Sequence, residues 1–192
     1  MKSQITWADN RSLTVVGFLG GPGVGKSLTA AEVFPQLKRQ QILVELIPEA
    51  AKGFVWDGWD TILSEQDYIF ASQHRLQRRL VNHGMEYCLS DSSLLLGMIY
   101  MPDDLPPSFG RYVRDVYDSY DNINIFMERN LDYPYQTEGR SQTLAEAQAV
   151  DAKIKKYLND TNTPYHTVKA GESATAEVVN IILEHHYNRN RK

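Results

Sequence analysis

"GFLGGPGVGKSLTA", residues Gly17 to Ala30, sets five glycines and a proline around one lysine. Ordering such a stretch is unfavourable, because glycine loses the most backbone freedom on folding. Within it, Gly20 to Ser27 reads G-x-x-x-x-G-K-S, the spacing of a phosphate-binding loop. The residue types suit that chemistry. Gly20, Gly21, Gly23, Val24 and Gly25 let backbone N–H groups turn inward around phosphate oxygens, and the helix opening at Lys26, Ser27 and Leu28 adds positive potential. Lys26 would reach the β- and γ-phosphates, and Ser27 would offer its hydroxyl to Mg²⁺. An apolar strand precedes the loop and a helical pattern follows it, the context this mechanism requires. The stretch is expected to hold a nucleoside triphosphate.

Working outward, apolar β-branched runs alternate with helical patterns. The expected strands are Leu13 to Leu19, Gln41 to Ile47, Glu86 to Asp91, Ile123 to Glu128 and Tyr165 to Ala170. Several lack polar alternation, as strands buried on both faces do. One helix runs from Lys26 towards Leu37, with Pro35 kinking or ending it. A second begins at Ser64, where Ser64 and Asp67 resemble a capping box, and carries Ile69, Leu76 and Leu80 on one stripe. A third covers Phe109 to Tyr120. A fourth opens on a capping box of Thr143 and Glu146, and the last spans Ser173 to His186. Alternation of this kind implies an α/β fold, a parallel sheet with helices on both faces, in a single domain of 192 residues.

Composition narrows the function. Twenty basic against 24 acidic residues give a net charge of −4, which argues against a surface built to grip long nucleic acid. The one cysteine, Cys88, excludes an internal disulfide, suits a reducing cytoplasm and reads as a core thiol. The first ten residues lack a signal peptide's apolar run, and "LLLGMIYM" is too short to cross a bilayer. A soluble cytoplasmic protein with no membrane partner is expected.

Switches, motors and kinases all use such loops. The chain has no N-K-x-D string to read guanine, and the third strand ends in "LSDSS" rather than in the adjacent acids of a motor ATPase. Phosphoryl transfer remains, provided an acceptor site exists. Parallel strands deliver their carboxyl ends to the ligand crevice. "LIPEAAKG" puts Glu49 there and "LSDSS" puts Asp91 there. Two carboxylates beside a triphosphate suit one group that takes a hydroxyl proton and another that holds the metal. Gln73 shares the inward stripe of Ile69 and Leu76, where its amide needs partners; a nucleobase edge or a backbone turn would each serve. Trp56 and Trp59 are candidate pocket walls, and Arg75 and Arg79 candidate contacts to an acceptor phosphate. Between the fourth strand and the capping box, Arg129 to Gln142 reads as a lid bracketed by Arg129 and Arg140, which would bring cations over the phosphates and exclude water.

Taken together, "GGPGVGKS", "IPEAAKG", "DYIFASQHRL", "LSDSS" and "YPYQTEGRSQTLAEAQAVDAKI" resemble the P-loop nucleoside and nucleotide kinases, especially the nicotinamide-riboside-kinase-like group and its phage members. The resemblance covers most of the chain. It implies a three-layer sandwich with five parallel strands in the order 2-3-1-4-5. It implies Glu49 as the base, Gln73 as the reader of the nucleobase, Asp91 on the Mg²⁺ side, Arg140 as the lid arginine and Ala170–Gly171 as the turn lining adenine. One departure stands out: Ser92 occupies the place where deoxynucleoside kinases carry an arginine after the third-strand acid.

The expectation is an ATP- and Mg²⁺-dependent kinase acting on a nucleoside or nucleoside monophosphate. Phosphorylation of a hydroxymethylated base in phage DNA, in a host cytoplasm, is a second reading. A nucleotide-binding sensor without an acceptor is a third. A homodimer is compatible with all three.

Overall fold

The computed structural model describes residues 10–135, 142–189 and 191. Five strands, β1 (Thr14–Leu19), β2 (Val44–Ile47), β3 (Tyr87–Ser90), β4 (Asp121–Glu128) and β5 (His166–Lys169), form one sheet in the order β2-β3-β1-β4-β5. Every neighbouring pair is parallel. The helices are α1 (Lys26–Arg39), α2 (Ala50–Trp56), α3 (Gln66–Val81), α4 (Leu96–Ile99), α5 (Pro107–Asp118), α6 (Leu144–Asp160) and α7 (Ala174–Arg189), with a 3-10 turn at Asp60–Ser64. The expected fold class and strand order are both observed.

Two-residue alternation divides the central strand between two cores. Val16 and Phe18 of β1 join Val33 and Leu37 of α1 and Val178 and Ile182 of α7 on one face. Val15 joins Phe70 of α3 and Val113 of α5 on the other, and Leu19 joins Leu96, Ile99 and Ile154 beyond it. Both faces are covered, which explains why the strands carry so little polar residue. Because all five strands run the same way, their carboxyl ends share one edge. The glycine loop, Glu49, Asp91, Arg129 and Ala170–Gly171 all follow strand ends at that edge.

Several local expectations change. Pro35 lies inside α1, which continues to Arg39. The carbonyl that this proline leaves unbonded belongs to Ala31, an exposed residue that water can reach. β2 starts at Val44 rather than Gln41, because Gln41 takes a left-handed φ of 63° and the chain is still turning there. The Ser64–Asp67 capping box does not form: the Ser64 hydroxyl donates to the Thr61 carbonyl at 2.7 Å, and α3 begins at Gln66. The buried edge of α3 runs through Phe70, Gln73, Gln77 and Leu80, while Ile69 and Leu76 are only half-buried. The Thr143–Glu146 box forms in full. α2 and α4 are short helices that the sequence reading leaves as loop. Among the described residues no helix is long and apolar enough to cross a membrane.

Cys88 is fully buried in β3, and burial pushes its thiol well above the usual range. A thiol reagent is therefore expected to label the native chain only as fast as it unfolds, and fully in denaturant. Labelling at the rate of a free thiol in native buffer would contradict this burial.

Candidate active site

The glycine loop is shaped by backbone conformations that side chains resist. Gly23 has φ 72° and Gly25, the residue capping α1, has φ 100°. Val24 anchors the loop by entering the core. Lys26 Nζ donates to the carbonyls of Gly20 (2.8 Å) and Gly21 (3.2 Å). Burial lowers the pKa of this ammonium, against the opposing pull of Glu49, Asp91 and Asp151. Leu28 points its side chain to solvent, so only its backbone N–H, in the first turn of α1, is available to a phosphate.

Asp91 lies at the foot of this loop. Ser27 Oγ donates to Asp91 Oδ2 at 2.6 Å, while Asp91 Oδ1 is buried with no hydrogen-bond partner. A carboxylate oxygen only 6% exposed as a residue and left bare is costly unless something cationic meets it. The hydroxyl and the carboxylate are hard oxygen donors, the set that Mg²⁺ takes when phosphates and water supply its other ligands. The described residues hold no cluster of three or more His, Cys, Asp or Glu, so the ion's remaining ligands would come from substrate and water. The residues fit Mg²⁺.

A cavity of about 610 Å³ opens beside the loop. Its lining combines the polar Lys26, Ser27 and Glu49 with the apolar and aromatic Phe70, Leu96 and Tyr100. Glu49 is the residue capping α2, and its side chain makes no capping hydrogen bond. Burial raises its pKa, with the Asp91 charge adding to the shift and Lys26 and Lys52 opposing it. Tyr100 is pushed up to about 12 by burial and by Glu49 and Asp151, so it stays a neutral phenol at the cavity wall.

Gln73, 3% exposed, also lines the cavity, but its amide is already engaged. Nε2 donates to the Pro48 carbonyl (3.3 Å) and the Ser90 hydroxyl (3.2 Å), and Oε1 accepts the Ala50 N–H (2.8 Å). One amide thus braces the peptides on both sides of Glu49 and the residue before Asp91. Trp56 stands at the cavity rim, 75% exposed. Trp59 stacks on Phe54 away from the lining, with ring centroids 6.4 Å apart. Arg75 and Arg79 are exposed and do not line the cavity.

On the donor side, Arg129 donates to the Pro22 carbonyl at 2.9 Å, which brings it against the loop. Ala170 lies 3.9 Å from where a Cβ on Gly25 would stand, so the Ala170–Gly171 turn overhangs the loop as well. Arg140 falls outside the described residues. The sequence reading missed Tyr100, Phe70, Lys52 and Asp151. Phe70 and Tyr100 carry no motif. Asp151 carried a faint one, an acid four residues beyond the fully buried Ala147 on the face of α6 that turns inward.

Residues 15–175 match the family described as AAA domain, so the chain belongs to that family of P-loop proteins. Among solved structures it is similar to a NadR protein in complex with NR, at 11% identity and a TM-score of 0.70, over 91% of this chain and 52% of that one. It is also similar to deoxyadenosine kinase from M. mycoides with the products dCMP and dCDP, at 12% identity and a TM-score of 0.55, over 92% of this chain and 99% of that one. The chain therefore spans about half the length of the NadR chain. At these identities the likeness establishes a P-loop kinase-like fold. No curated protein matches the sequence.

Replacing Gln73 by leucine would strand the Ala50 N–H and the Pro48 carbonyl. Gln73→Leu is expected to lower unfolding stability by about 1–3 kcal/mol, read from the denaturant midpoint, and no change in midpoint would contradict the brace.

Proposed function

We propose that the protein is an ATP- and Mg²⁺-dependent kinase that transfers the γ-phosphoryl group to a nucleoside or nucleoside monophosphate. The observation that carries this reading is one cavity lined by Lys26 and Ser27 of the loop, by Glu49 and by the aromatic and apolar Phe70, Leu96 and Tyr100. A switch or motor needs no such chamber beside its phosphate loop.

The loop from Gly20 to Ser27 would cradle the triphosphate, with Lys26 leaving its two carbonyls to meet the β- and γ-phosphates. Ser27 and Asp91 would hold Mg²⁺, which neutralises the phosphate charge when bound. The acceptor ring would lie against Phe70, Tyr100 and Trp56, and Gln73 Oε1 retains one lone pair for a base edge. Glu49 would take the proton of the attacking hydroxyl as its oxygen bonds to the γ-phosphorus and the bond to the β-phosphate oxygen breaks, releasing ADP. For a monophosphate, whose phosphate oxygen attacks without a proton to remove, Glu49 would serve in positioning instead. Arg129 would steady the donor, Arg140 would close over the transferring group, and the Ala170–Gly171 turn would flank the adenine. Catalysis is then mostly positioning and charge neutralisation in a site shielded from water.

Incubating the chain with labelled ATP, Mg²⁺ and a panel of nucleosides, monophosphates and a hydroxymethylated duplex tests this. Transfer to a nucleoside or monophosphate is expected. ATP hydrolysis with no transfer to any of them would contradict it, and transfer to the duplex alone would reassign the acceptor.

The raised pKa of Glu49 sets the pH dependence. A base must be ionised to work, so activity towards a nucleoside hydroxyl should fall as pH drops through that raised value. The acid limb of the kcat/KM profile is expected above the ordinary carboxylate value of 4.5. Glu49→Gln should remove the limb and slow turnover by about 10²–10⁴-fold, with ATP binding kept. A variant with unchanged turnover would rule Glu49 out as the base.

A further inference from the structure

Helix α6 meets the donor loop through one carboxylate that the loop motif does not call for. Asp151 Oδ1 accepts the N–H of Gly21, and Asp151 Oδ2 accepts from Arg129 Nε at 2.9 Å. Arg129 Nη2 in turn donates to the carbonyl of Pro22 at 2.9 Å. The Arg129 and Asp151 side chains are only 9% and 16% exposed, so the pair is sheltered from the screening that weakens surface ion pairs. The fit is close: a Cβ on Gly21 would stand 2.4 Å from the Ala147 carbonyl oxygen and 2.8 Å from Asp151 Oδ1. The second position of the motif is therefore held to glycine by α6 and not by a phosphate.

Three side chains thus hold the segment Gly20–Gly21–Pro22. Lys26 takes the carbonyls of Gly20 and Gly21, Asp151 takes the Gly21 N–H, and Arg129 takes the Pro22 carbonyl. The Gly20 and Gly21 carbonyls take two of the three N–H donors of Lys26 Nζ, and a triphosphate would compete for them. When Lys26 turns to the phosphates, Asp151 and Arg129 still hold this half of the loop. The same helix also grips the acceptor side, where Lys153 Nζ donates to the carbonyl of Ile99 at the end of α4. Leu96, Gly97 and Tyr100, in and just after α4, line the cavity.

We propose that Asp151 is a positioning residue for the donor nucleotide: with Arg129 it holds the Gly20–Pro22 arm of the loop while Lys26 moves to the phosphates. Through α6, whose Asp151 and Lys153 bond to Gly21 and Ile99, the donor loop and the acceptor wall are held by one helix. This rests on the reading of the loop as an ATP site, and it does not depend on which acceptor is used.

The test measures the dissociation constant of Mg·ATP by calorimetry on the full chain. It compares wild type, Asp151→Asn, Arg129→Gln and the double variant, with the ATP-free melting midpoint of each. Each single variant is expected to bind ATP about tenfold more weakly, the size of one charged hydrogen bond lost. The double variant should lose more than either single one but less than the sum of the two losses, because both break the shared Arg129–Asp151 pair while each also removes its own contact to the loop. Arg129→Lys, which keeps the charge but cannot bridge Asp151 and Pro22 in the same fork, should show a smaller loss. Wild-type ATP affinity in the folded variants, with only the melting midpoint lowered, would overturn the proposal, as would losses that simply add. If a substitution by asparagine or glutamine prevents folding, Arg129→Lys decides: unchanged affinity overturns the proposal. Failure of the wild-type chain to bind ATP would overturn both this inference and the proposed function, whereas the expected affinity losses without phosphoryl transfer would overturn the kinase reading alone.

Discussion

A loop of glycines has no shape of its own, and everything at the carboxyl edge of the sheet depends on giving it one. Backbone freedom lost at Gly20 to Gly25 must be offset by contacts from outside the loop. Val24 supplies one by burying its side chain in the core between the sheet and α1. The rest are polar: Lys26 on the carbonyls of Gly20 and Gly21, Arg129 on that of Pro22, and Asp151 on the N–H of Gly21. A loop preformed in this way has less ordering left to do when a triphosphate arrives, which is what makes a weakly structured segment a good binding site.

The same logic of bracing recurs around Glu49 and Asp91. β2 and β3 end beside β1, so their last turns face the loop. Glu49 and Asp91 are then two acidic groups close to Lys26, with Lys52 also near Glu49, and the chain holds them there with neutral bonds. Gln73 ties the turn around Glu49 to the end of β3, and the Ser90 hydroxyl ties that end on to the Ser92 carbonyl at 2.6 Å. An amide network of this kind adds no charge beside the two carboxylates. The backbone carbonyl of Ser92 belongs to this same neutral network, and Ser92 lines the cavity.

The sheet was legible in the sequence because its signals are local. β-branched runs separated by helical patterns impose a parallel sheet, and the glycine motif marks its central strand. Glu49 and Asp91 followed from the rule that strand ends face the ligand. The short helices α2 and α4 were not legible, since one turn or two carries too little periodicity to stand out. Asp151 was hidden for a different reason. It is separated from Gly21 by 130 positions, and its importance arises only when α6 docks on the loop. Gln73 shows the limit from the other direction: its inward placement on α3 could be read, but both uses of its amide satisfied the pattern, and only coordinates reveal the bonds to Pro48, Ala50 and Ser90.

The most direct measurement is a crystal structure of the chain with a non-hydrolysable ATP analogue, Mg²⁺ and a nucleoside that accepts phosphate in solution. The account predicts the triphosphate in the Gly20–Ser27 loop and Lys26 Nζ off the two carbonyls. It also predicts an acceptor hydroxyl within hydrogen-bond reach of Glu49 inside the cavity. An acceptor bound elsewhere, or a Glu49 turned away from it, would contradict the account.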